Sequence, residues 1–133
     1  MTNRVLAVLS MTIGFVTVSG PLFAHHSGSS YDDKHPITMT GTVTQFEFTN
    51  PHIIIRLAAK DATGSVEQWS AIGGAPASLS HDKRLAAYWN RDTFKPGDQI
   101  TITGNPHRDG RKFLTVKKIV TSSGEVVPLG PEQ

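Results

Sequence analysis

ITMTGTVTQFEFTNPHIIIRLAAKDATGSVEQWSAIGG, residues 37–74, is the stretch whose reading decides the fold. Ile37, Met39, Gly41 and Val43 fall on one face, and threonines fall on the other. A period of two marks a strand with one buried face. The phase then slips, because Phe46 and Phe48 are apolar where Gln45 and Glu47 would continue the buried row. A bulge at Thr44–Gln45 absorbs the slip and curls the strand. TNPH (49–52) reads as a turn by composition. IIIRLAAK (53–60) reads as a second strand with Ile53, Ile55 and Leu57 inward. DATGS (61–65) is a hairpin turn, VEQWSAI (66–72) is a third strand, and Gly73-Gly74 ends it. Three strands joined by short turns make an antiparallel meander.

Downstream, PASLSHDKRLAAYW (76–89) is the one helical stretch, with Pro76 at a first helical position. Leu79, Leu85, Ala86 and Trp89 give it a partial apolar stripe. QITITG (99–104) is a fourth strand, NPHRDGR (105–111) a loop, and KFLTVKKIV (112–120) a fifth strand. Val126 and Val127 extend the last strand after the SSGE turn, ahead of a polar tail at 129–133. The order is β-β-β-α-β-β. With a curled first strand and a helix between strands three and four, it predicts an OB-like five-stranded antiparallel barrel over residues 37–128. An open β-sandwich of the same strands is the alternative.

Upstream, residues 1–24 read as a signal peptide. Arg4 supplies the charge, positions 5–18 are apolar or small, Pro21 breaks the run, and Ala24 offers a cleavage site. Those 14 positions are too few for a membrane span, which needs about 20. Residues 25–36, HHSGSSYDDKHP, read as a flexible polar lead-in. Removing 24 of the 133 residues leaves 109 and takes away only one charge, so 12 Lys and Arg face 11 Asp and Glu. A nearly neutral domain is a poor binder of nucleic acid, which wants clustered positive charge. The absence of cysteine excludes disulfides, thiolate metal sites and a cysteine nucleophile. The expected setting is periplasmic or secreted.

Four stretches carry a family resemblance: AHHS at 24–27, TGTVTQFEFTNPH at 40–52, WSAIGGAP at 69–76 and WNRDTFKPGDQITITGNP at 89–106. Together, in this order, they resemble a family of small exported bacterial proteins of uncharacterised function. The resemblance implies an OB-like exported domain and no particular activity. SLSHDKRLAAYW is longer than the corresponding segment of that family.

Imidazole is the nitrogen ligand available in quantity here, and it suits copper, zinc or nickel. Cleavage after Ala24 would give His25 a free α-amine beside its ring nitrogen, and His26 would add a second ring. An α-amine titrates near neutrality, and tetragonal nitrogen donation favours Cu(II). His52 and His107 each close an Asn-Pro-His tripeptide, with Asn50 and Asn105 at its start. In an OB barrel the two loops holding these tripeptides flank one mouth. The expected metal set is therefore His25, His26, His52 and His107, with copper as the cofactor. His35 and His81 read as solvated. The competing reading is a non-metal module whose mouth, with Trp69, Trp89, Asn50 and Asn105, takes a peptide, a glycan or an envelope protein. Core packing is the plain reading of both tryptophans. No nucleophile elbow, phosphate loop or H-E-x-x-H is present, and no enzyme is expected.

Overall fold

The computed structural model describes residues 30–130. The signal segment, His25 and His26 lie outside the described residues, as does the end of the tail.

Three strands, β1 (Ile37–Glu47), β2 (Ile54–Lys60) and β3 (Val66–Ile72), form the expected meander. β4 (Gln99–Pro106), β5 (Phe113–Thr121) and the two-residue β6 (Val126–Val127) follow. The sheet runs β3-β2-β1-β4-β5-β6, and β3 also pairs with β5. That last pairing closes a five-stranded OB-like barrel. It is parallel, over Ser70–Ile72 against Phe113–Thr115, whereas every other named strand pair is antiparallel.

β1 passes from β4 to β2 along its length, so it must bend. The register shift between Val43 and Gln45 supplies the bend where the pattern breaks. Val43 also anchors the turn before β4. Its N–H donates to Asp98 O at 2.8 Å, and its carbonyl accepts from Gly97 N–H at 2.8 Å. Gly97 sits at φ +100°, a conformation that side chains rarely adopt, and this gives KPGD (95–98) its glycine. Gly73 serves a different need. Its N–H donates to Ile53 O, and a Cβ there would meet the Ile53 side chain at 2.6 Å.

The single predicted helix is instead two short ones, α1 (Pro76–His81) and α2 (Lys83–Ala86). Asp82 breaks it. Its backbone is extended (φ −85°, ψ 121°), and its carboxylate accepts from Arg84 N–H as the cap of α2. The break lets Leu79 and Leu85 both reach the core.

The core is filled by Ile53, Ile55, Leu57, Ile102, Leu114 and Ile119, all fully buried. Trp89, Phe94 and Phe46 pack edge to face or tilted against one another, with ring centroids 5.5–6.3 Å apart. The Trp89 indole N–H donates to Pro128 O at 2.7 Å and ties the carboxy-terminal segment to the barrel.

No helix among the described residues is long and apolar enough to cross a membrane.

Candidate functional site

The lead-in is not independent of the barrel. From Ser30 onward it lies along the start of the β4–β5 loop as an arm. Tyr31 and His107 form an isolated antiparallel bridge. Asp32 N–H donates to Pro106 O at 2.8 Å, and Arg108 N–H donates to Ser30 O at 2.9 Å. Arg108 holds the arm again with its side chain. Nε donates to Tyr31 O at 3.0 Å, and Nη2 lies 3.6 Å from Asp33 Oδ1. The Tyr31 ring meets the His107 ring edge to face at 5.1 Å. The expected flexible stretch therefore has, at 30–33, defined partners. Its polar composition concealed a strand-like pairing made by backbone groups.

Between this arm and the barrel lies an open cavity of about 570 Å³. The arm contributes Tyr31 and Asp33, the β1–β2 turn contributes His52, and β3 runs out at Gly73-Gly74. Asn105 lines the opposite wall from β4, and Leu129 closes the carboxy-terminal side. Such a volume suits a small molecule or a side chain.

Asn105 is the chemically exceptional member. Its Oδ1 is buried and, among the described residues, has no hydrogen-bond partner. Buried acceptors are almost always satisfied, so this orphan is a cost that the fold carries at the edge of the groove. The sequence placed Asn105 and Pro106 in a loop, but both belong to β4. A register shift between Thr103 and Gly104 lets the strand continue, with Asn105 opposite Thr115. Gly104 permits this, because a Cβ there would overlap the Thr115 carbonyl oxygen.

The two Asn-Pro-His tripeptides do not serve the site equally. His52 is exposed, lines the cavity and, among the described residues, makes no hydrogen bond or ion pair. His107 is outside the lining and half-buried, and it meets the cavity only through Tyr31. His107 Nδ1 lies 2.7 Å from Asp109 Oδ1. Arg111 holds the same carboxylate, with Nε donating to Oδ2 at 2.7 Å. That Arg111 hydrogen bond is the main reason the Asp109 carboxyl is lowered from 3.8 to about 2. On the arm, His35 Nδ1 bonds Asp32 Oδ2 at 2.9 Å, which lowers the Asp32 carboxyl.

The tryptophans leave the ligand set. Trp89 is 2% exposed and belongs to the core, since its aromatic neighbours and Pro128 occupy it fully. Trp69 is half-buried with Lys112 Nζ 5.2 Å above its ring, and its indole N–H donates to Glu67 at 3.2 Å. Neither lines the cavity, and exposed Asn50 does not line it either. Tyr31 and Asp33 do line it. In sequence they sit in a polar run whose one distinguishing mark is a single aromatic residue. Among the described residues no three His, Asp or Glu side chains gather as a metal-binding group.

Fold and groove together define an OB-like β-barrel domain with an arm-flanked cavity. The sequence matches the Family of unknown function (DUF6152) over residues 13–115, and the chain belongs to that family. A search of curated proteins gives no match. Among solved structures, a mitochondrial single-stranded DNA-binding protein of S. cerevisiae, Rim1, is similar at 12% identity with a TM-score of 0.45. The alignment covers 74% of this chain and all of that one.

Proposed function

We propose that this protein is an exported binding module of the bacterial envelope that holds a Cu(II)-type ion at its amino-terminal histidine pair. His52 would be the barrel's imidazole. The observation that carries the reading is the docked arm. Tyr31 and Asp33 line the cavity that His52 also lines, and only three residues separate His26 from Ser30. The four steps from His26 to Ser30 span at most about 14 Å, which is the length of the tether between the pair and the docked arm. His25, as the first residue of the processed chain, would bring its α-amine and ring nitrogen, and His26 would bring a second ring. His52 fits the role because its ring nitrogens are unclaimed. His107 fits less well, since Asp109 holds its Nδ1 and leaves only Nε2.

The test is Cu(II) titration calorimetry, with electron paramagnetic resonance, on a chain that begins at His25. One equivalent should bind with nitrogen hyperfine structure. His52→Ala should weaken binding about tenfold or more. Arg108→Ala, which unfastens the arm, should weaken it with every ligand intact. Affinity unchanged by deleting His25 and His26 would overturn the reading. So would an exported chain whose mass places its first residue elsewhere.

A second reading has its own support in the cavity itself, which Ile72, Val116 and Leu129 line with apolar surface beside Tyr31. In it the groove is a ligand site in its own right, independent of metal.

A further inference from the structure

We propose that the chain's own tail, Pro131-Glu132-Gln133, folds into a second groove and clasps the end of β6 to α2. This groove is open, about 450 Å³ in volume, and shares no lining residue with the arm-flanked cavity. Tyr88 and Val126 line it at 40% and 52% exposure. They are two of the three large hydrophobic residues that stand exposed among the described residues, so apolar surface is concentrated here. Leu85 and Pro128 add to it from below the rim of exposed groups. A segment laid over these side chains would take their surface out of water. Arg84 supplies the formal charge of the lining.

The path of the chain selects the occupant. Pro128 is fixed by the Trp89 indole, whose N–H donates to its carbonyl at 2.7 Å, and Leu129 packs against the core. Gly130 then lines the groove itself. The residues that follow therefore start inside it, and three residues reach at most about 10 Å. Their chemistry matches the lining. Pro131 brings an apolar ring and no N–H that would need a partner. Glu132 brings a carboxylate to a groove whose charge is a guanidinium. Arg84 Nε already lies 3.8 Å from Asp82 Oδ1, and the five N–H donors of a guanidinium can serve a second carboxylate. An exposed ion pair adds little by itself, so the charge aims the tail and the apolar cover holds it. The clasp also bears on the candidate site. Leu129 lines the arm-flanked cavity and Gly130 lines the second groove, so one peptide bond joins the two walls. A docked tail holds the carboxy-terminal wall of that cavity in place.

The experiment is NMR on the isotope-enriched chain from His25. The Glu132 amide should have an order parameter near that of rigid backbone, about 0.85. A value below about 0.6 would make the tail a free end and overturn the clasp. Pro131 ring protons should show nuclear Overhauser contacts to the Tyr88 ring. In a mixture of enriched and unenriched chains, filtered to keep only contacts between molecules, those contacts should vanish. If they persist, the groove takes the tail of a second copy and the clasp within one chain falls. Tyr88→Ala changes an exposed position, so dispersed spectra should show the barrel intact while the Glu132 order parameter drops below about 0.6. An unchanged value would overturn the groove as the docking surface. Deleting residues 131–133 should shift the Val116 and Gly73 amides, which line the cavity with Leu129. Amides that stay in place would overturn the link between the tail and that cavity.

Discussion

Asn105→Leu should make the protein more stable, and the size of the gain follows from the groove. The Asn105 Oδ1 is buried and unpartnered among the described residues. An acceptor in that state costs about 1–3 kcal/mol relative to its hydrated form. Leucine has nearly the same shape and no polar atom, so the cost disappears. Asn105 is only half-buried as a residue, which limits what leucine adds by burying apolar area. The net expectation is a gain of about 1–2 kcal/mol. For a domain of this size each kcal/mol moves the thermal midpoint by about 4–8 °C. Thermal unfolding followed by circular dichroism should therefore show a midpoint higher by about 5–10 °C. Part of any gain would come from better strand propensity, since asparagine is disfavoured in strands. Asn105→Thr separates the two effects, because it raises propensity while keeping an oxygen; it should gain clearly less. A midpoint for Asn105→Leu that is unchanged or lower would refute the reasoning. It would mean that a tightly held water already satisfies Oδ1 and that leucine expels it at a loss.

Two further predictions concern the elements that shape the site. Gly104→Ala should cost about 2–3 kcal/mol, because the new Cβ would overlap the Thr115 carbonyl and meet Leu114 Cδ1 at 2.5 Å. Chemical denaturation will show this as a lower midpoint, and a midpoint equal to the parent's would refute the close approach of β4 and β5. The Asp109 carboxyl should titrate at about 2 by carbon-detected NMR, and Arg111→Ala should move it back toward 3.8. Because folding lowers this value, the stabilisation is complete above 3.8 and is lost as pH falls through about 2. A midpoint unmoved by Arg111→Ala would remove Arg111 as the cause.

The barrel was legible because its signals are local. The phase slip at Thr44–Gln45 announced the bulge, and the alternation in QITITG announced β4. The helix was half legible. Its apolar stripe is real, but Asp82 offers its carboxylate to Arg84 N–H, and this capping competes with continuing the turn. The end of β4 was misread for a related reason. Asn-Pro is turn chemistry in isolation, yet pairing of Asn105 with Thr115 and Pro106 with Leu114 overrides it. The arm was the least legible element. Ser30–Asp33 is recognised through backbone hydrogen bonds to Pro106 and Arg108, which no side-chain pattern encodes.

The stretches that carry the family resemblance can now be separated by what they do. WNRDTFKPGD is largely architectural. Trp89 and Phe94 build the aromatic cluster, Thr93 closes the turn on Tyr88 and Asn90, and Gly97 and Asp98 fasten to Val43. The glycine pair of WSAIGGAP is architectural at Gly73, where Ile53 leaves no room for a Cβ. His52 in TNPH has no such duty. It packs into no core, makes no hydrogen bond among the described residues, and lines the cavity that Asn105 also lines. A residue that costs the fold nothing to change and an asparagine that costs stability to keep share one groove. The candidate site therefore lies at the junction of arm and barrel, where Tyr31, Asp33 and His52 line one cavity, while Trp89 belongs to the core.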